Sequence, residues 1–481
     1  MERFENLDMS PKDRTIEFLV VGGGSAGIVG AKTAAGFGVK TLLVERARPG
    51  GDCLYTGCVP SKTLLSSAEE SVQGHRSGGQ RLEFGTARER IAAAIATIEP
   101  GDTPEALGAA GVEVMQGTLV FRGPGRADVD GRTIRFRPAL LATGSAPSAP
   151  LIPGLDPCLT VTSDSIWDVT ELPDRLVVVG GGPIACEIGQ AFARLGSAVT
   201  LVVRSRLLPK EDLEAADILR RSLQDDGTRI LEEAAITEAT GGPDDATLHL
   251  DTGEDVVAHL VLLATGRSPR TSGLGLETIG VKLDTRGHVL TDATLRTSNP
   301  LIRAAGDITA YEDFTHVAGL HGSVAASNAA LGLRRRIPAV VPRVTFTSPE
   351  VAAVGRGAAS QPGDRVHTSW HGELDRAITA GQTQGYTQVV VDRRGKLVGG
   401  TIVGPRAGDT LAELTLAVHS RLSASEVAGT IHPYPTYSEA LRDAALEDVQ
   451  ARLAAPPMSL ATGLLARVRR AWIAKNPGRN R

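Results

Sequence analysis

Two stretches of the chain repeat one order of elements: an apolar strand, a glycine-rich turn, an alanine-rich helix and a second apolar strand. The first stretch contains strand 16–21, turn 22–27, helix 28–37 and strand 41–44, which ends in Glu45. The second contains strand 175–179, turn 180–185, a helix to Leu195 and strand 198–203. Continuous apolar runs are typical of buried parallel strands, and this order is that of a dinucleotide-binding unit. The pattern therefore predicts two such units.

Each predicted unit ends in the same short sequence segment. An apolar strand ends in Ala142-Thr143-Gly144 in the first unit and in Ala264-Thr265-Gly266 in the second. A lone glycine turn is a weak signal of nucleotide binding. Two turns in strand–turn–helix context, each followed by its own Ala-Thr-Gly, make the prediction much more specific.

Beyond Pro338 the pattern changes to alternating apolar and polar positions. This period predicts a hairpin with strands 387–392 and 396–403, followed by a helix with apolar Leu411, Leu414 and Val418. We therefore expect an α/β protein with two Rossmann-like dinucleotide-binding domains and a C-terminal α+β domain.

Composition narrows the class of protein. A chain of 481 residues is too long for one core, and its net charge of −4 gives no general attraction to nucleic acid. Only four cysteines occur, so no disulfide framework is expected. The N-terminus lacks a signal-peptide layout and no segment is long enough to span a bilayer, which favours the cytoplasm.

Cys53 and Cys58 are the strongest candidates for chemistry. Their four-residue spacer allows redox chemistry but lies at the long end for structural zinc, and no second ligand pair follows. Residues five apart on a regular helix are roughly 8 to 9 Å apart at Cα, too far for a disulfide. A bridge therefore requires a distorted turn, which Gly57 permits. Cys158 and Cys186 fit no redox position and are expected to be buried bystanders.

The two turns offer binding sites for different dinucleotides. Glu45 ends its strand where a carboxylate can accept hydrogen bonds from a ribose diol and repel a 2′-phosphate, so FAD qualifies. The equivalent strand end in the second unit carries Arg204 and Arg206, which can hold a 2′-phosphate and favour NADPH over NADH. The alternative is that both arginines are solvated surface residues. The candidate cofactor-binding residues are Gly22, Gly24, Gly27, Glu45, Ala142, Thr143 and Gly144 in the first unit, and Gly180, Gly182, Ala185, Arg204, Arg206 and Gly266 in the second.

With these motifs the chain resembles the group I pyridine nucleotide-disulfide oxidoreductases, the family of glutathione reductase, dihydrolipoyl dehydrogenase and mercuric reductase. The resemblance covers about residues 14–450 and includes Ala304–Asp307, Phe314–Ala318 and Phe346–Glu350. It implies a homodimer whose third domain completes the partner's active site. The domains it implies are an FAD-binding domain in two parts (1–150 and 277–336), an NAD(P)H-binding domain (151–276), a dimerisation domain (337–455) and a basic tail (456–481).

The resemblance also implies roles for individual residues. Cys58 is the thiol next to the flavin and Cys53 is the thiol that attacks the substrate. Lys62 pairs with Glu187 and stabilises anionic sulfur and reduced flavin, and Asp307 binds the ribityl chain of FAD. No metal ligand is implied.

The acid–base group has two candidates. The family supplies a histidine in His-Pro-Thr-x-x-Glu, whereas this chain has His432-Pro433-Tyr434-Pro435-Thr436 with Glu439 further on. Counting from His-Pro selects His432, and counting back from the glutamate selects Tyr434, the residue type of mercuric reductases. We favour His432, with Glu439 as its orienting carboxylate.

The expected substrate is a small disulfide or a thiol-reactive acceptor, and three alternatives stay open. Mercuric reductases share the tyrosine but add a C-terminal cysteine pair, and no cysteine follows Cys186. Dihydrolipoyl dehydrogenase has an acid where Val203 stands. The third is a non-catalytic redox sensor. The basic tail forms an amphipathic pattern for which packing on the dimer or fraying is preferred over membrane contact.

Overall fold

The computed structural model describes residues 15–357 and 361–475. The N-terminal segment, in which no signal-peptide layout is expected, and the tail arginines Arg479 and Arg481 lie outside these residues. The described chain forms two compact units. The first comprises the described residues up to Leu207 together with Leu223–Ala339, and the second comprises Leu208–Ser222 together with the described residues from Val340 onward.

The elements up to residue 331 include both predicted strand–turn–helix–strand units, with further strands and helices between and after them. The strands are β1 (Thr15–Ile16), β2 (Phe18–Val21), β3 (Thr41–Glu45), β4 (Val112–Gln116), β5 (Leu119–Gly123), β6 (Arg126–Val129), β7 (Arg132–Phe136), β8 (Ala139–Leu141), β9 (Ser145–Pro147), β10 (Thr160–Thr162), β11 (Arg175–Val179), β12 (Ala198–Val203), β13 (Arg229–Glu232), β14 (Ile236–Gly241), β15 (Ala246–Leu250), β16 (Asp255–Ala258), β17 (Leu260–Leu263), β18 (Arg267–Pro269) and β19 (Ile302–Ala304). The α-helices are α1 (Ser25–Gly36), α2 (Gly51–Tyr55), α3 (Cys58–Arg76), α4 (Phe84–Ile98), α5 (Pro104–Ala109), α6 (Pro183–Leu195), α7 (Leu213–Asp225) and α8 (Thr315–Leu331). Short 3-10 turns lie at Glu99–Gly101, Pro157–Leu159, Ile166–Asp168 and Leu276–Ile279.

A five-stranded parallel sheet carries the first predicted dinucleotide unit, with strand order β19-β8-β2-β3-β4. Its central strand β2 is buried on both faces, as its continuous apolar run predicts. The prediction of one strand over 16–21 is wrong at Glu17. This acidic residue is exposed and accepts a hydrogen bond from the Lys40 amide, and Ile16 before it pairs with β7 in another sheet. A carboxylate is not accommodated in the buried middle of the strand.

The second predicted unit is a five-stranded parallel sheet with order β10-β17-β11-β12-β13. Strands β11 and β12 have the predicted bounds, and α6 ends at Leu195 as predicted. The first-unit helix, in contrast, begins at Ser25 rather than Ile28. Residues of the glycine turn thus form its first helical turn.

Helices α1 and α8 pack closely because one of their contacts is glycine. A side-chain carbon at Gly322 would lie 2.1 Å from the carbonyl oxygen of Ala26, so only glycine fits there. This packing fixes the N-terminus of α8, where Thr315 begins the helix, next to the glycine turn.

The second unit contains an antiparallel sheet with order β20-β21-β24-β23-β22 and flanking helices. Its elements are β20 (Pro342–Thr345), β21 (Glu350–Gly355), β22 (Arg365–Trp370), β23 (Tyr386–Val391), β24 (Leu397–Gly404), α9 (Asp375–Ala380), α10 (Ala407–His419), α11 (Ala424–Ala428), α12 (Glu439–Ala454) and α13 (Met458–Lys475), with a 3-10 turn at His371–Glu373. Strands β23 and β24 form the predicted hairpin. The predicted apolar positions Leu411, Leu414 and Val418 lie in the core against the sheet.

The described part of the basic tail forms α13. Its apolar side chains, among them Leu460 and Leu464, are exposed. Within residues 15–357 and 361–475, no helix combines the length and apolar character needed to cross a membrane. Whether α13 packs on a second copy or meets a membrane stays a prediction.

Candidate active site

A cavity of about 470 Å³ lies in the first unit where β2, β3 and β8 end. The carboxyl ends of parallel strands are where such folds bind ligands. The predicted first-unit residues that line it are Gly22, Gly24, Glu45, Cys53, Ala142, Thr143, Gly144 and Asp307. The structure therefore brings the glycine turn, the Ala-Thr-Gly segment and one of the paired cysteines to a single cavity.

The glycine turn is shaped to hold a diphosphate. A side chain at Gly22 would meet the Ala142 carbonyl oxygen at 2.4 Å, and one at Gly27 would meet the Gly22 carbonyl oxygen at 1.8 Å. At Gly24, in contrast, no atom of the described residues lies within 4 Å of an added carbon, so this position opens to the cavity. No described side chain caps α1. Its free amides therefore face a space that fits the diphosphate of FAD.

Glu45 is fixed in place at the end of β3. Its carboxylate accepts hydrogen bonds from the amides of Gly23 at 2.6 Å and Ala47 at 2.8 Å. Each oxygen still has lone-pair capacity for a further donor. The carboxylate is therefore oriented along the cavity wall in a way that suits a ribose diol.

Asp307 also lines this cavity and lies shortly after the end of β19. Its carboxylate accepts a hydrogen bond from the Ser145 hydroxyl at 2.8 Å, and that hydroxyl accepts another from Nε of Arg267 at 2.7 Å. The aspartate thus has a defined orientation before any ligand binds.

The two paired cysteines occupy two different helices. Cys53 lies in α2, and Cys58 is the first residue of α3. The helix is interrupted at Thr56 and Gly57, as the spacing predicts, and a side chain at Gly57 would lie 2.8 Å from the Asp52 carbonyl oxygen. Both thiols are free in this structure and partly buried.

The surroundings of the two thiols shift their pKa values in opposite directions. A hydrogen bond from Cys53 lowers the pKa of Cys58 below the ordinary 9.0, and Thr315 and the Lys62 charge lower it further. The same hydrogen bond and burial raise the pKa of Cys53. The Thr315 hydroxyl lies 3.3 Å from the Cys58 sulfur. In the reduced pair the proton therefore resides on Cys53 and the thiolate on Cys58.

Lys62 and Glu187 form the predicted ion pair. The ammonium lies 2.8 Å from the carboxylate of Glu187, whose side chain is only 7% exposed. Glu187 belongs to α6, so the pair joins the cysteine helix to the second sheet's helix. Its two charges act on the Cys58 thiolate in opposite directions.

An ion-pair network beside Cys53 was missed by sequence reasoning. Asp52 pairs with Arg267 and also lies 3.3 Å from Arg270, and both arginines reach Asp164. Burial and the Asp52 charge raise the pKa of Asp164. Both Asp52 and Arg267 adjoin recognised motifs, so the sequence did contain a signal for them. The network ties α2, which carries Cys53, to β18.

The second glycine turn repeats the geometry of the first. A side chain at Gly180 would meet the Ala264 carbonyl oxygen at 2.4 Å, and α6 also begins without a side-chain cap at Gly182. Arg204 follows β12 directly and is exposed, and Arg206 is partly buried. The two remaining predicted residues differ in burial, since Ala185 is buried and Gly266, in the left-handed region, faces open space.

The candidates for the acid–base group and its carboxylate, His432, Tyr434 and Glu439, lie in the second compact unit, and their surroundings differ. His432 has its side chain 5% exposed, with Nε2 2.7 Å from the Glu413 carboxylate and Nδ1 3.0 Å from the Thr430 carbonyl oxygen. The carboxylate bonded to His432 is thus Glu413 and not Glu439. Glu413 belongs to α10, and nothing in the His-Pro motif indicated a residue of that helix.

Tyr434 is 68% exposed and donates a hydrogen bond to Asp375. That hydrogen bond and the Asp375 charge raise the pKa of Tyr434, and the nearby Glu439 charge adds to the effect. Tyr434 is therefore a protonated hydrogen-bond donor at neutral pH.

The remaining cysteines do not share one environment. Cys186 is buried and burial raises its pKa, as expected for a bystander. Cys158 is exposed, so the prediction that it is buried is wrong. It lies in the short turn Pro157–Leu159, where Asp156 binds its amide and the turn leaves the side chain outside the core. Among the described residues no group of histidine, cysteine or acidic side chains could hold a metal ion.

The chain belongs to the pyridine nucleotide-disulphide oxidoreductase family. The family model matches residues 16–326, and the model of that family's dimerisation domain matches residues 341–445. FAD and NAD(P)H are accordingly its cofactors. The dimerisation domain supports a homodimer.

Known relatives agree on the class but differ in substrate. The chain is 35% identical over 452 residues to a mercuric reductase of Streptomyces lividans, covering 89% of this chain and 95% of the relative. It is 34% identical over 455 residues to a dihydrolipoyl dehydrogenase of Thermus scotoductus, covering 90% and 97%. Among solved structures, LpdA from Mycobacterium tuberculosis matches with a TM-score of 0.82 at 29% identity, covering 92% of this chain and 100% of that one. The HOCl-induced flavoprotein disulfide reductase RclA from Escherichia coli also matches with a TM-score of 0.82, at 25% identity, covering 89% and 99%.

Proposed function

We propose that this enzyme uses NADPH to reduce a small disulfide or a thiol-reactive acceptor through Cys53 and Cys58. The observation that carries the proposal is the unequal pair of thiols beside the cavity that fits FAD. Bound FAD supplies the transfer of two electrons from the nicotinamide cofactor to the sulfur pair. The names of the relatives point to mercuric ion, a disulfide and the dithiol dihydrolipoyl, and each of these exchanges with a thiol or disulfide pair.

The sulfur chemistry balances with the residues present. In the reduced pair, the proton on Cys53 can move along its hydrogen bond to Cys58 as the Cys53 sulfur attacks the substrate disulfide. One substrate thiolate leaves, and a mixed disulfide forms at Cys53. The Cys58 sulfur then attacks Cys53, which re-forms the internal bond and releases the second thiol. The two electrons and the single proton of the reduced pair leave with the products, and the second proton, which converts the first departing thiolate to a thiol, comes from the acid–base group or from solvent.

Lys62 and Thr315 hold the anionic sulfur during this cycle. Both lower the pKa of Cys58, so the thiolate persists at neutral pH. Glu187, on α6, holds the Lys62 ammonium in place through their 2.8 Å contact. Asp307 and Glu45 are proposed to bind the ribityl and ribose hydroxyls of FAD, with Gly22, Gly24 and Gly27 at its diphosphate.

Arg204 and Arg206 are proposed to select NADPH. Arg204 is exposed directly after β12, where the ribose of a bound dinucleotide is recognised in this fold. A guanidinium binds a 2′-phosphate through charge-assisted hydrogen bonds. Gly180, Gly182, Ala185 and Gly266 would surround the nicotinamide dinucleotide.

For the acid–base role in the partner's active site we propose Tyr434. A group that serves a second subunit must reach the surface of its own, and Tyr434 is exposed while the ring nitrogens of His432 are both engaged within the subunit. Its hydroxyl donates to Asp375 in this structure and would exchange that exposed acceptor for a departing thiolate, which the hydrogen bond would stabilise. This choice differs from the one that the His-Pro order favours.

The test is an anaerobic titration of the FAD-loaded enzyme with NADPH, followed by turnover assays with small disulfides, quinones and mercuric ion. Disulfide turnover should collapse in Tyr434→Phe and survive in His432→Gln, while flavin reduction by NADPH stays normal in both. Collapse only in His432→Gln would return the role to that histidine. Absence of turnover with every thiol-reactive acceptor would contradict the proposed function.

Mercuric ion reduction is the second candidate. The exposed Tyr434 and the similarity to mercuric reductases favour it. A soft metal ion is bound by thiolates, so both Cys53 and Cys58 would be needed. NADPH oxidation that responds to mercuric ion and not to any disulfide would decide for this activity.

A further inference from the structure

A second cavity of about 430 Å³ lies in the first unit and shares no lining residue with the cavity that fits FAD. Its lining consists of Asp292, Thr294, Arg296, Pro300, Arg303, Gly332, Leu333 and Arg334. The volume is in the range of small-molecule sites, which is roughly 300 to 1,000 Å³. None of the motifs that place FAD or NADPH includes these residues.

Arg303 is the central feature of this cavity. It lies in the middle of β19, a strand whose neighbours Ile302 and Ala304 are buried. Its Nε and Nη1 atoms are shielded from solvent and have no hydrogen-bond partner among the described residues. Burial also lowers the pKa of Arg303. Shielded donors without an acceptor are rare in proteins, because their lost hydration is not replaced.

The cavity carries a surplus of positive charge. Three arginines line it, Arg296, Arg303 and Arg334, and Asp292 is the one acid in its lining. One oxygen of Asp292 is already bonded to the amides of Thr294 and Arg296. Its other oxygen lies 3.5 Å from Nε of Arg296. The carboxylate therefore balances one guanidinium, and two positive charges remain for a ligand.

The walls of the cavity are held in place by Asn328, which is 1% exposed. Its side-chain amide donates to the Thr294 carbonyl oxygen at 3.1 Å and to the Arg335 carbonyl oxygen at 2.8 Å. Its carbonyl oxygen accepts from the Arg335 amide at 2.8 Å. The two loops that carry Arg296 and Arg334 are thus joined by one buried side chain, so the arginines are presented from a fixed frame.

We propose that this cavity binds a small phosphorylated molecule through Arg303, Arg296 and Arg334. A phosphoryl group carries up to two negative charges and acceptor oxygens for several donors, which matches the charge surplus of the three lining arginines. A monocarboxylate would neutralise only one arginine. The site is separate from the redox cysteines and adds a binding function to the enzyme.

The test is calorimetric titration of the FAD-loaded, full-length enzyme with inorganic phosphate and, separately, with ribose 5-phosphate, at constant ionic strength set with chloride. We expect saturable binding of one phosphoryl group per subunit, weakened roughly tenfold or more in Arg303→Met. Arg122→Met, which removes an exposed arginine outside the cavity, should bind as wild type does. Tighter binding of ribose 5-phosphate than of phosphate would identify a phosphate ester as the ligand, and equal binding would identify free phosphate.

A second variant keeps the test decisive if Arg303→Met does not fold. Arg334→Met removes an exposed cavity arginine and should weaken binding several-fold with an unchanged melting temperature. Arg204→Ala should have no effect on this titration. Absence of saturable binding to wild type, equal affinity in the cavity variants, or loss of binding in Arg204→Ala would each overturn the proposal.

Discussion

Replacing the two members of the Lys62–Glu187 pair should move the Cys58 pKa in opposite directions. The Lys62 charge lowers this pKa and the Glu187 charge raises it. Lys62→Met should therefore raise the pKa, and Glu187→Gln should lower it. A structural ion pair that merely holds α3 against α6 would not produce opposite signs, because either substitution breaks the same contact.

The magnitude follows from the geometry. Lys62 follows Cys58 by one helical turn, which separates the two Cβ atoms by roughly 5 to 6 Å, and we take about 6 Å as the separation of its charge from the sulfur. Between effective dielectric constants of about 20 and 80, the Coulomb interaction over that distance is about 0.7 to 3 kcal/mol. Because the Lys62 side chain is 36% exposed, solvent screening favours the lower part of that range. A change of roughly half to one pKa unit is therefore expected.

The assay uses a Cys53→Ser background, in which Cys58 cannot form the internal disulfide and its thiolate lies beside oxidised flavin. The long-wavelength absorbance band of that thiolate and flavin is followed against pH, with Lys32→Met as a control. Lys32 lies 3.7 Å from Asp102 in a partly exposed pair, and its replacement should leave the Cys58 pKa unchanged. Shifts of the same sign in Lys62→Met and Glu187→Gln, or shifts no larger than in the control, would refute the reasoning.

Three further predictions concern the neighbouring groups. Cys53→Ala should raise the Cys58 pKa toward 9.0, measured by pH-dependent alkylation, because the hydrogen bond from Cys53 is the largest cause of its lowering; an unchanged pKa would contradict this. Gly27→Ala should release FAD, measured as the flavin-to-protein ratio, because the added methyl would lie 1.8 Å from the Gly22 carbonyl oxygen. Gly36→Ala on the same helix meets open space and should retain FAD. Arg204→Ala should raise the KM for NADPH about tenfold or more, because one charge-assisted contact is lost, and should change the KM for NADH little. Equal changes for both cofactors would show that Arg204 does not bind the 2′-phosphate.

The two dinucleotide-binding units were predictable because the residues that favour each element locally are also the residues that its place in the fold requires. A buried parallel strand must be continuously apolar, and a diphosphate-binding turn must be rich in glycine, so the bounds of β11 and β12 follow from the sequence. The strand expected over 16–21 failed at Glu17, where one acid outweighed the surrounding apolar pattern. Its exposure depends on which strand pairs with β1, and the local sequence does not contain that information.

The site was predictable where motifs carry the chemistry, and less so where partners come from distant elements. The break at Gly57 followed from helix geometry, since Cys53 and Cys58 cannot meet on a regular helix. Glu413 could not be inferred as the neighbour of His432, because their proximity arises from the packing of α10. Arg303 likewise reads as an ordinary strand residue until its unpaired atoms are seen in the folded chain.

The most direct test of the account is anaerobic reduction of the enzyme with two electron equivalents, with the long-wavelength thiolate–flavin band as readout. We predict that wild type develops this band, that Cys53→Ser shows it without reductant, and that Cys58→Ser never shows it. Disulfide turnover should be lost in both variants. Full turnover in both single variants, or a band in Cys58→Ser, would contradict the assignment of Cys53 and Cys58 as the redox pair.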